Sequence, residues 1–306
     1  MRDRGEWTQM DGKGTVMPTF GFVVLHYLVD DATTQCVESI REHCAGGDYH
    51  VVVVDNDSAN GSYERLQERY GGAADVTLLH NAANEGFARG NNTGYRYCRE
   101  QLHCDYIVTI NNDAMLAKDD FMSLCVEDYE RTHCGVIGPD IVSLKDGRHQ
   151  NPSYGIIHTH DEVRRQLRRF HWILLLLRLH LYAPLVRLKQ RLRGTTAAPS
   201  PYTHDTAEAD TDRPYKLHGA CLIFTPAFIR HYDEAFDPRT FLYFEEHILW
   251  MRCQIAGLTM HYDPRIVVRH VEDMSTDRMT ADTRRKMIFT LGNYVRSLNV
   301  LDDYVC

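Results

Sequence analysis

Hydrophobic and polar positions divide the chain into apolar runs of strand length separated by stretches of helical period. Residues 20–28 form the first run. Asp30 and Asp31 follow, and either suits the cap of a helix with Cys36, Val37, Ile40 and Cys44 on one face, stopped by Gly46-Gly47. The run 49–54 has no polar alternation, as expected of a strand covered on both faces of a parallel sheet. A polar helix over 62–70, a strand over 75–80, a Gly-rich stretch turning helical over 84–100 and a β-branched strand over 106–110 come next. Strands alternating with helices predict βαβ units and a doubly wound, mostly parallel α/β sheet.

The second half is less regular. A helix over about 119–132, a short strand at 135–142 and a hairpin-type turn at Lys145-Asp146-Gly147-Arg148 are expected. Residues 156–212 break the pattern: a basic, leucine-rich piece precedes 194–212, which is rich in Thr, Ala, Pro and Asp and reads as a flexible loop. Order resumes with a strand at 215–224 interrupted by Gly219, a short helix from Pro226, a turn at Phe236-Asp237-Pro238 and a helix over 242–256. A strand ending at His270 and a last helix over about 280–299, carrying Met287, Leu291, Tyr294 and Leu298, complete the chain. The expected organisation is a polar leader (1–18), a nucleotide-binding half (19–155), the basic insertion and loop (156–212) and a catalytic half with the C-terminal helix (213–306).

Composition sets limits on this picture. With 306 residues, 43% hydrophobic and 25% charged, the chain has the length for a sizeable core and an ordinary globular balance. Nine cysteines without CxxC or zinc-ligand spacing exclude a zinc finger and fit a reducing cytoplasm. The net charge is −8, yet residues 163–193 hold nine Lys or Arg and no Asp or Glu. An acidic body with one basic segment argues against nucleic-acid binding and for one localised anionic partner.

Polar groups fall where strands end. Asp55, Asn81, Asp113 and His270 each follow an apolar run, and in open α/β sheets ligands bind beyond the carboxyl ends of strands. Asn111-Asn112-Asp113 is also ordinary turn chemistry when taken alone. One aspartate and one histidine are too few for a protein-only metal cage, but they suffice for Mg²⁺ or Mn²⁺ when a diphosphate supplies the remaining oxygens. No phosphate loop of the GxxxxGK[ST] or GxGxxG type is present, which argues against a P-loop NTPase and an NAD enzyme. In the 84–94 stretch Gly86 and Gly90 permit close backbone approach, while the amides and Arg89 suit a polar ligand. Glu245-Glu246 fits a helix macrodipole, or alternatively a general base whose neighbour raises one pKa, with Tyr243, Phe244 and Trp250 as apolar walls.

These motifs, in order, resemble a bacterial family 2 glycosyltransferase, nearest its rhamnosyltransferase-like branch. They are Val54-Asp55-Asn56-x-Ser58, Asn84-x-Gly86-Phe87-Ala88-x-Gly90-Asn91-Asn92-x-Gly94, Asn111-Asn112-Asp113, Gly219-Ala220, Phe236-Asp237 with Tyr243-x-Glu245-Glu246, and His270 with Ser275. The resemblance covers about 20–155 and 213–300. It implies a GT-A fold and inverting transfer from a nucleotide-sugar donor to a glycan or lipid-linked acceptor in cell-surface polysaccharide synthesis. By the same resemblance Asp55 and Asn56, with His26 and Tyr27, sit near the nucleoside. Asn84, Gly86, Phe87, Gly90, Asn91, Asn112 and Gly219 complete the donor site, and Asp113 and His270 hold Mg²⁺ or Mn²⁺. Glu246, or else Glu245, is the base. Asn111 stands where the family's DxD motif often has its first acid, so the metal has less protein charge than usual. A nucleotidyltransferase and a non-catalytic binding protein are the competing readings; the first would carry a basic Gly-rich loop where this chain has acidic residues 26–31.

The basic segment 163–193 is too interrupted, by Arg178 and Pro184, to cross a bilayer. Leu, Trp and Tyr among Arg and Lys suit an interfacial helix on anionic lipid, placing the protein peripherally on the inner face of the bacterial membrane. A helical lid or a homodimer contact is the alternative.

Overall fold

The computed structural model describes residues 17–185, 205–208, 210, 212–272 and 283–306. Residues 1–16 of the leader expected at 1–18, most of the loop at 194–212 and Ser275 therefore lie outside the described residues.

Eight strands form one sheet: β1 (Phe20–His26), β2 (Tyr49–Asp55), β3 (Val76–His80), β4 (Tyr106–Asn111), β5 (Ala114–Leu116), β6 (Val136–Ser143), β7 (Cys221–Phe224) and β8 (Met260–His270), in the order β3-β2-β1-β4-β7-β6-β8-β5. β1, β2, β3 and β4 run parallel, as do β6 and β8, whereas β7 is antiparallel to both its neighbours and β5 is antiparallel to β8. The helices are α1 (Asp30–His43), α2 (Ser62–Tyr70), α3 (Gly86–Glu100), α4 (Phe121–Thr132), α5 (His160–Arg178), α6 (Pro226–His231), α7 (Glu245–Ile255) and α8 (Thr283–Asp302).

The absence of polar alternation in β1 and β2 has its cause in two cores. Phe20, Phe22, Val24, Val51 and Val53 point to one face, where Cys36, Val37 and Ile40 of α1 and Phe121 and Cys125 of α4 cover them. Val23, Val52 and Val54 point to the other, under Ala88, Tyr95 and Cys98 of α3. Both faces are dry, so successive residues are all apolar and the chain's alternation is one of direction only.

Three local expectations need correction. Val29, not Asp30 or Asp31, is the α1 N-cap; both acids lie in the first turn, where their charge complements the positive end of the helix dipole, and Asp30 is gripped by Arg65 at 2.6 and 2.7 Å. The strand expected at 215–224 is only 221–224, because 216 pairs instead with Ser153 in an isolated bridge. The helix expected from 242 begins at Glu245, because Tyr243 and Phe244 adopt left-handed backbone (φ 72° and 68°) and cannot continue into a helix.

The basic segment contributes α5, whose start is capped by Thr159 accepting from the Glu162 amide. Val163, Leu174 and Leu177 pack on Leu291, Leu298 and Leu301 of α8, so both helices join the body as a satellite layer. No described helix is long and apolar enough to cross a membrane.

Candidate active site

The carboxyl ends of β1, β2 and β4 open onto a cavity of about 380 Å³. Tyr27, Asn56, Asn84, Gly86, Phe87, Asn112, Asp113, Glu246 and His270 all line it. Residues more than 200 positions apart thus converge because parallel strands discharge their polar ends on one rim. A second lobe of about 550 Å³ adjoins it, with Phe87, Asn111, His218, Leu242, Tyr243 and Glu246 common to both. Glu246 therefore stands where the two lobes meet.

The wall beneath the first lobe is fastened by side-chain amides. Asn56 Nδ2 donates to Asn84 Oδ1 (3.0 Å) and the Gly86 carbonyl (3.1 Å), while its Oδ1 accepts from Asn81 Nδ2 and the Glu85 amide, both at 3.1 Å. All four of its hydrogen-bonding positions are used, so Asn56 shapes the wall and has none left for a ligand. Gly86 has φ 79°, and a Cβ there would lie 2.3 Å from the Phe241 carbonyl oxygen. The Phe87 amide donates to that same oxygen at 2.7 Å. Asn92 donates to the Phe236 carbonyl and accepts from its amide, and Arg89 donates to the Pro238 carbonyl. The start of α3 thereby holds residues 236–241 across the cleft.

On the opposite wall, Asp113 and His270 meet through the β5–β8 pairing, with His270 Nε2 3.3 Å from Asp113 Oδ1. Gln150 Nε2 donates to Glu272 at 3.0 Å, which turns its Oε1 toward His270 Nδ1 at 2.8 Å. An oxygen acceptor there requires the proton on Nδ1. Nε2 then faces a carboxylate oxygen across 3.3 Å, a gap that either a proton on Nε2 or a divalent cation held by both can bridge. That donor set fits a divalent ion with an oriented imidazole. Among the described residues no third acidic, His or Cys side chain joins the pair, so other oxygens must come from a ligand.

The two glutamates follow the left-handed Tyr243-Phe244 pair, which turns the chain sharply and plants both carboxyls at the α7 N-terminus. Their environments separate them. Glu245 is buried with Oε1 unpartnered, and burial together with the neighbouring Glu246 charge pushes its pKa up to about 8. Glu246 is also penalised by burial, but Lys216 foremost outweighs it and holds the carboxyl below the usual glutamate range. It accepts from the Gly219 amide at 3.3 Å. At neutral pH one acid is protonated and the other ionised, the pattern by which paired carboxyls divide acid and base roles. Lys216 is buried, with Nζ donating to Ser153 Oγ at 3.0 Å.

The other expected residues are placed differently. His26 is wholly buried and does not reach the cavity; Thr33 Oγ1 (2.7 Å) and Ser62 Oγ (2.9 Å) hold its ring, and burial takes its pKa to about 4, so it is neutral and its 3.7 Å approach to Asp55 is no ion pair. Asp55 is equally buried: Oδ2 accepts from the Ser58 amide and faces His80 Nδ1 at 2.7 Å, while Oδ1 has no partner. Gly90 lies against strand β1, where a Cβ would come 2.5 Å from Leu25, and Asn91 donates to the Phe87 carbonyl within its own helix. Gly219 and Glu245 line the second lobe instead of the first.

Two residues escaped the sequence reading. His218 lines both lobes; its Nδ1 accepts from the Ala220 amide, and burial lowers its pKa to about 4, leaving a neutral ring with the proton on Nε2. Its position directly before Gly219-Ala220 was the available signal. Gln150 had none, since an isolated amide after a hairpin is unremarkable in sequence.

A mixed sheet whose strand ends hold an Asp–His pair opposite an ionised glutamate defines an α/β protein of GT-A architecture. The model of glycosyl transferase family 2 matches residues 22–180, more than half of the chain, and the chain belongs to that family. Among solved structures, GalNAc-T7 with UDP, GalNAc and Mn²⁺ aligns with a TM-score of 0.54 at 13% identity, over 83% of this chain and 44% of that one. S. aureus TarS 1–349 in complex with UDP-GlcNAc aligns with a TM-score of 0.52 at 11% identity, over 92% of this chain and 66% of that one. The chain thus spans less than two thirds of either structure, and at such identities the likeness shows the fold alone. No curated protein sequence matches it.

Proposed function

We propose that the chain is an inverting glycosyltransferase. It moves a sugar from a nucleotide-sugar donor in the 380 Å³ lobe to an acceptor hydroxyl in the 550 Å³ lobe. The observation that carries this is the position of Glu246, ionised, at the junction of the two lobes and opposite Asp113 and His270. Glu246 takes the proton of the acceptor hydroxyl; the oxygen attacks the anomeric carbon as the bond to the nucleoside diphosphate breaks from the opposite face, and the configuration inverts in one displacement. Asp113 and His270 would hold Mg²⁺ or Mn²⁺, which offsets negative charge on the departing diphosphate. Glu245, kept protonated, adds no second negative charge beside the base. The nucleoside is proposed to lie on the side of this lobe lined by Tyr27 and Asn56, with Asp55 buried behind that wall.

The acceptor is proposed to be a glycan or lipid-linked glycan of cell-surface polysaccharide, met at the inner face of a bacterial membrane, and the donor branch to be rhamnosyltransferase-like. The GalNAc-T7 and TarS structures hold UDP or UDP-GlcNAc, which makes uridine donors the first to test beside dTDP-rhamnose. Purified protein with Mn²⁺ and a panel of UDP-, dTDP- and GDP-sugars should hydrolyse one donor slowly. Asp113→Ala should abolish that turnover. Undiminished hydrolysis in both Asp113→Ala and Glu246→Gln would overturn the reading.

A further inference from the structure

Helix α5 carries two apolar stripes, and only one is used. Val163, Leu174 and Leu177 are buried against α8 and its surroundings. The other stripe, Trp172 and Leu175 followed by Leu179, faces solvent, with Trp172 64% exposed, and Leu181 and Leu185 just beyond the helix are exposed as well. At the same helical spacing N-terminal to Trp172 stand Arg168 and Arg165, both exposed. Between α5 and α8 a groove of about 450 Å³ opens beside this stripe, floored by Leu174, Leu175 and Val295, with Arg178 among its lining residues. An apolar stripe with a large aromatic, arginines along the same line and an apolar groove is an arrangement that water alone does not favour.

We infer that this face of α5 is a docking surface for an anionic lipid bilayer. Charge identifies the occupant. A second copy related by a twofold axis would set the same arginines against themselves. The chain that follows, 186–193, adds four more Lys or Arg and cannot neutralise them. Because the whole chain carries −8 while residues 163–185 carry five Arg and no Asp or Glu, an anionic surface repels most of the molecule and attracts this helix, which fixes orientation as well as affinity. Trp172 and Leu175 then lie at the headgroup boundary, where amphipathic helices bury their apolar face.

The orientation has a consequence that rests on the proposed function. Gln166, Arg169 and Phe170 of the same helix line the 550 Å³ lobe, so docking sets the lobe's mouth beside the bilayer and presents it to acceptors anchored there.

The test uses the full chain with sedimenting vesicles and needs no donor, so it stands or falls separately from the enzymatic reading. Vesicles of phosphatidylcholine with about a third phosphatidylglycerol should bind the protein and shift Trp172 emission to the blue; pure phosphatidylcholine should bind far less. With about fivefold in partitioning per Lys or Arg near such a surface, Arg165→Glu/Arg168→Glu should lower binding by about a hundredfold or more. Trp172→Phe should keep most binding and remove the emission shift. Both variants alter exposed side chains, and unchanged thermal unfolding confirms that they fold. Equal vesicle binding by wild type and the Arg165→Glu/Arg168→Glu variant would overturn the inference. So would a wild-type dimer that ignores vesicles and becomes monomeric on Trp172→Ala.

Discussion

Asn56 and Glu245 belong to walls of the same cleft and live under opposite conditions. Around Asn56 every donor and acceptor of the side chain is matched, and the 81–86 segment is held by four hydrogen bonds to one amide. Around Glu245 the chain passes through two successive left-handed residues, and a buried carboxyl oxygen and His247 Nδ1 have no partner. A saturated wall resists rearrangement and suits the holding of a nucleotide. A strained turn with unpartnered carboxyl atoms is paid for by the surrounding packing and is typical of places where charge is handled. On the proposed function, the cleft therefore has its binding region and its reacting region within the same rim of strand ends.

The sharpest test of that division is Glu246→Gln. It keeps volume and the hydrogen bond from Gly219 but removes the proton acceptor. Transfer should fall by about 10²–10⁴-fold, the usual contribution of a general base, while donor affinity measured by calorimetry stays within a few fold. Loss of donor affinity on the same scale as transfer would mean that the two regions are not separate.

Gln150→Leu probes the other side of the cleft with a smaller effect. It removes the acceptor that fixes the His270 tautomer without touching Asp113 or the imidazole. Mn²⁺ affinity should weaken by about 10–100-fold, as for other residues that orient metal-bound histidines, and excess metal should restore turnover. Failure of Mn²⁺ to rescue would place Gln150 outside any metal site.

What the sequence made legible follows the same split. The βαβ order, the two-sided burial of β2 and the gathering of Asp113 with His270 all descend from local pattern and from a rule about strand ends. The saturation of Asn56 was invisible, because the same Asn-x-Gly residues fit either ligand or wall and only the partners decide. His26 misled for a related reason: a strand's last residue can point into the cleft, as its neighbour Tyr27 does, or back into the core. The left-handed Tyr243-Phe244 turn was hidden behind residues that suit a helix, since bulky aromatics at positive φ are set by tertiary packing. Gln150 depends on the meeting of the 149–151 turn with β8, which no local window contains.

Gly86→Ala should disturb the saturated wall itself. The added methyl meets the Phe241 carbonyl oxygen first and the Phe241 ring next, and the φ of 79° is unfavourable for alanine. A loss of about 1–3 kcal/mol in stability is expected from denaturant unfolding, with weaker donor binding and a nearly unchanged rate at saturating donor. A lowered rate with unchanged donor binding would reverse the assignment of this wall to binding.

Glu245→Gln has the smallest expected effect on turnover and the clearest dependence on pH. The folded pKa of Glu245, about 8, lies above its unfolded value near 4.5, so the folded state holds this proton more tightly. Between those limits the native state binds more protons than the unfolded one, and stability from this group declines as pH rises, by at most about 1.4 kcal/mol per pH unit. Above pH 8 a second negative charge appears in a buried position beside the Glu246 charge. The amide of Gln cannot ionise, so the variant should match wild type near pH 5 and become the more stable of the two by pH 9 in parallel thermal melts. The buried histidines act in the opposite sense. His26 and His218, with folded pKa values of about 4, contribute stability that is present above their ordinary 6.5 and lost as pH falls toward 4, and Glu245→Gln leaves that acid limb intact. A variant that shifts the acid limb, or melts in parallel with wild type at pH 9, would show that Glu245 is not the protonated member of the pair. The division of labour between the two glutamates would then have to be reversed.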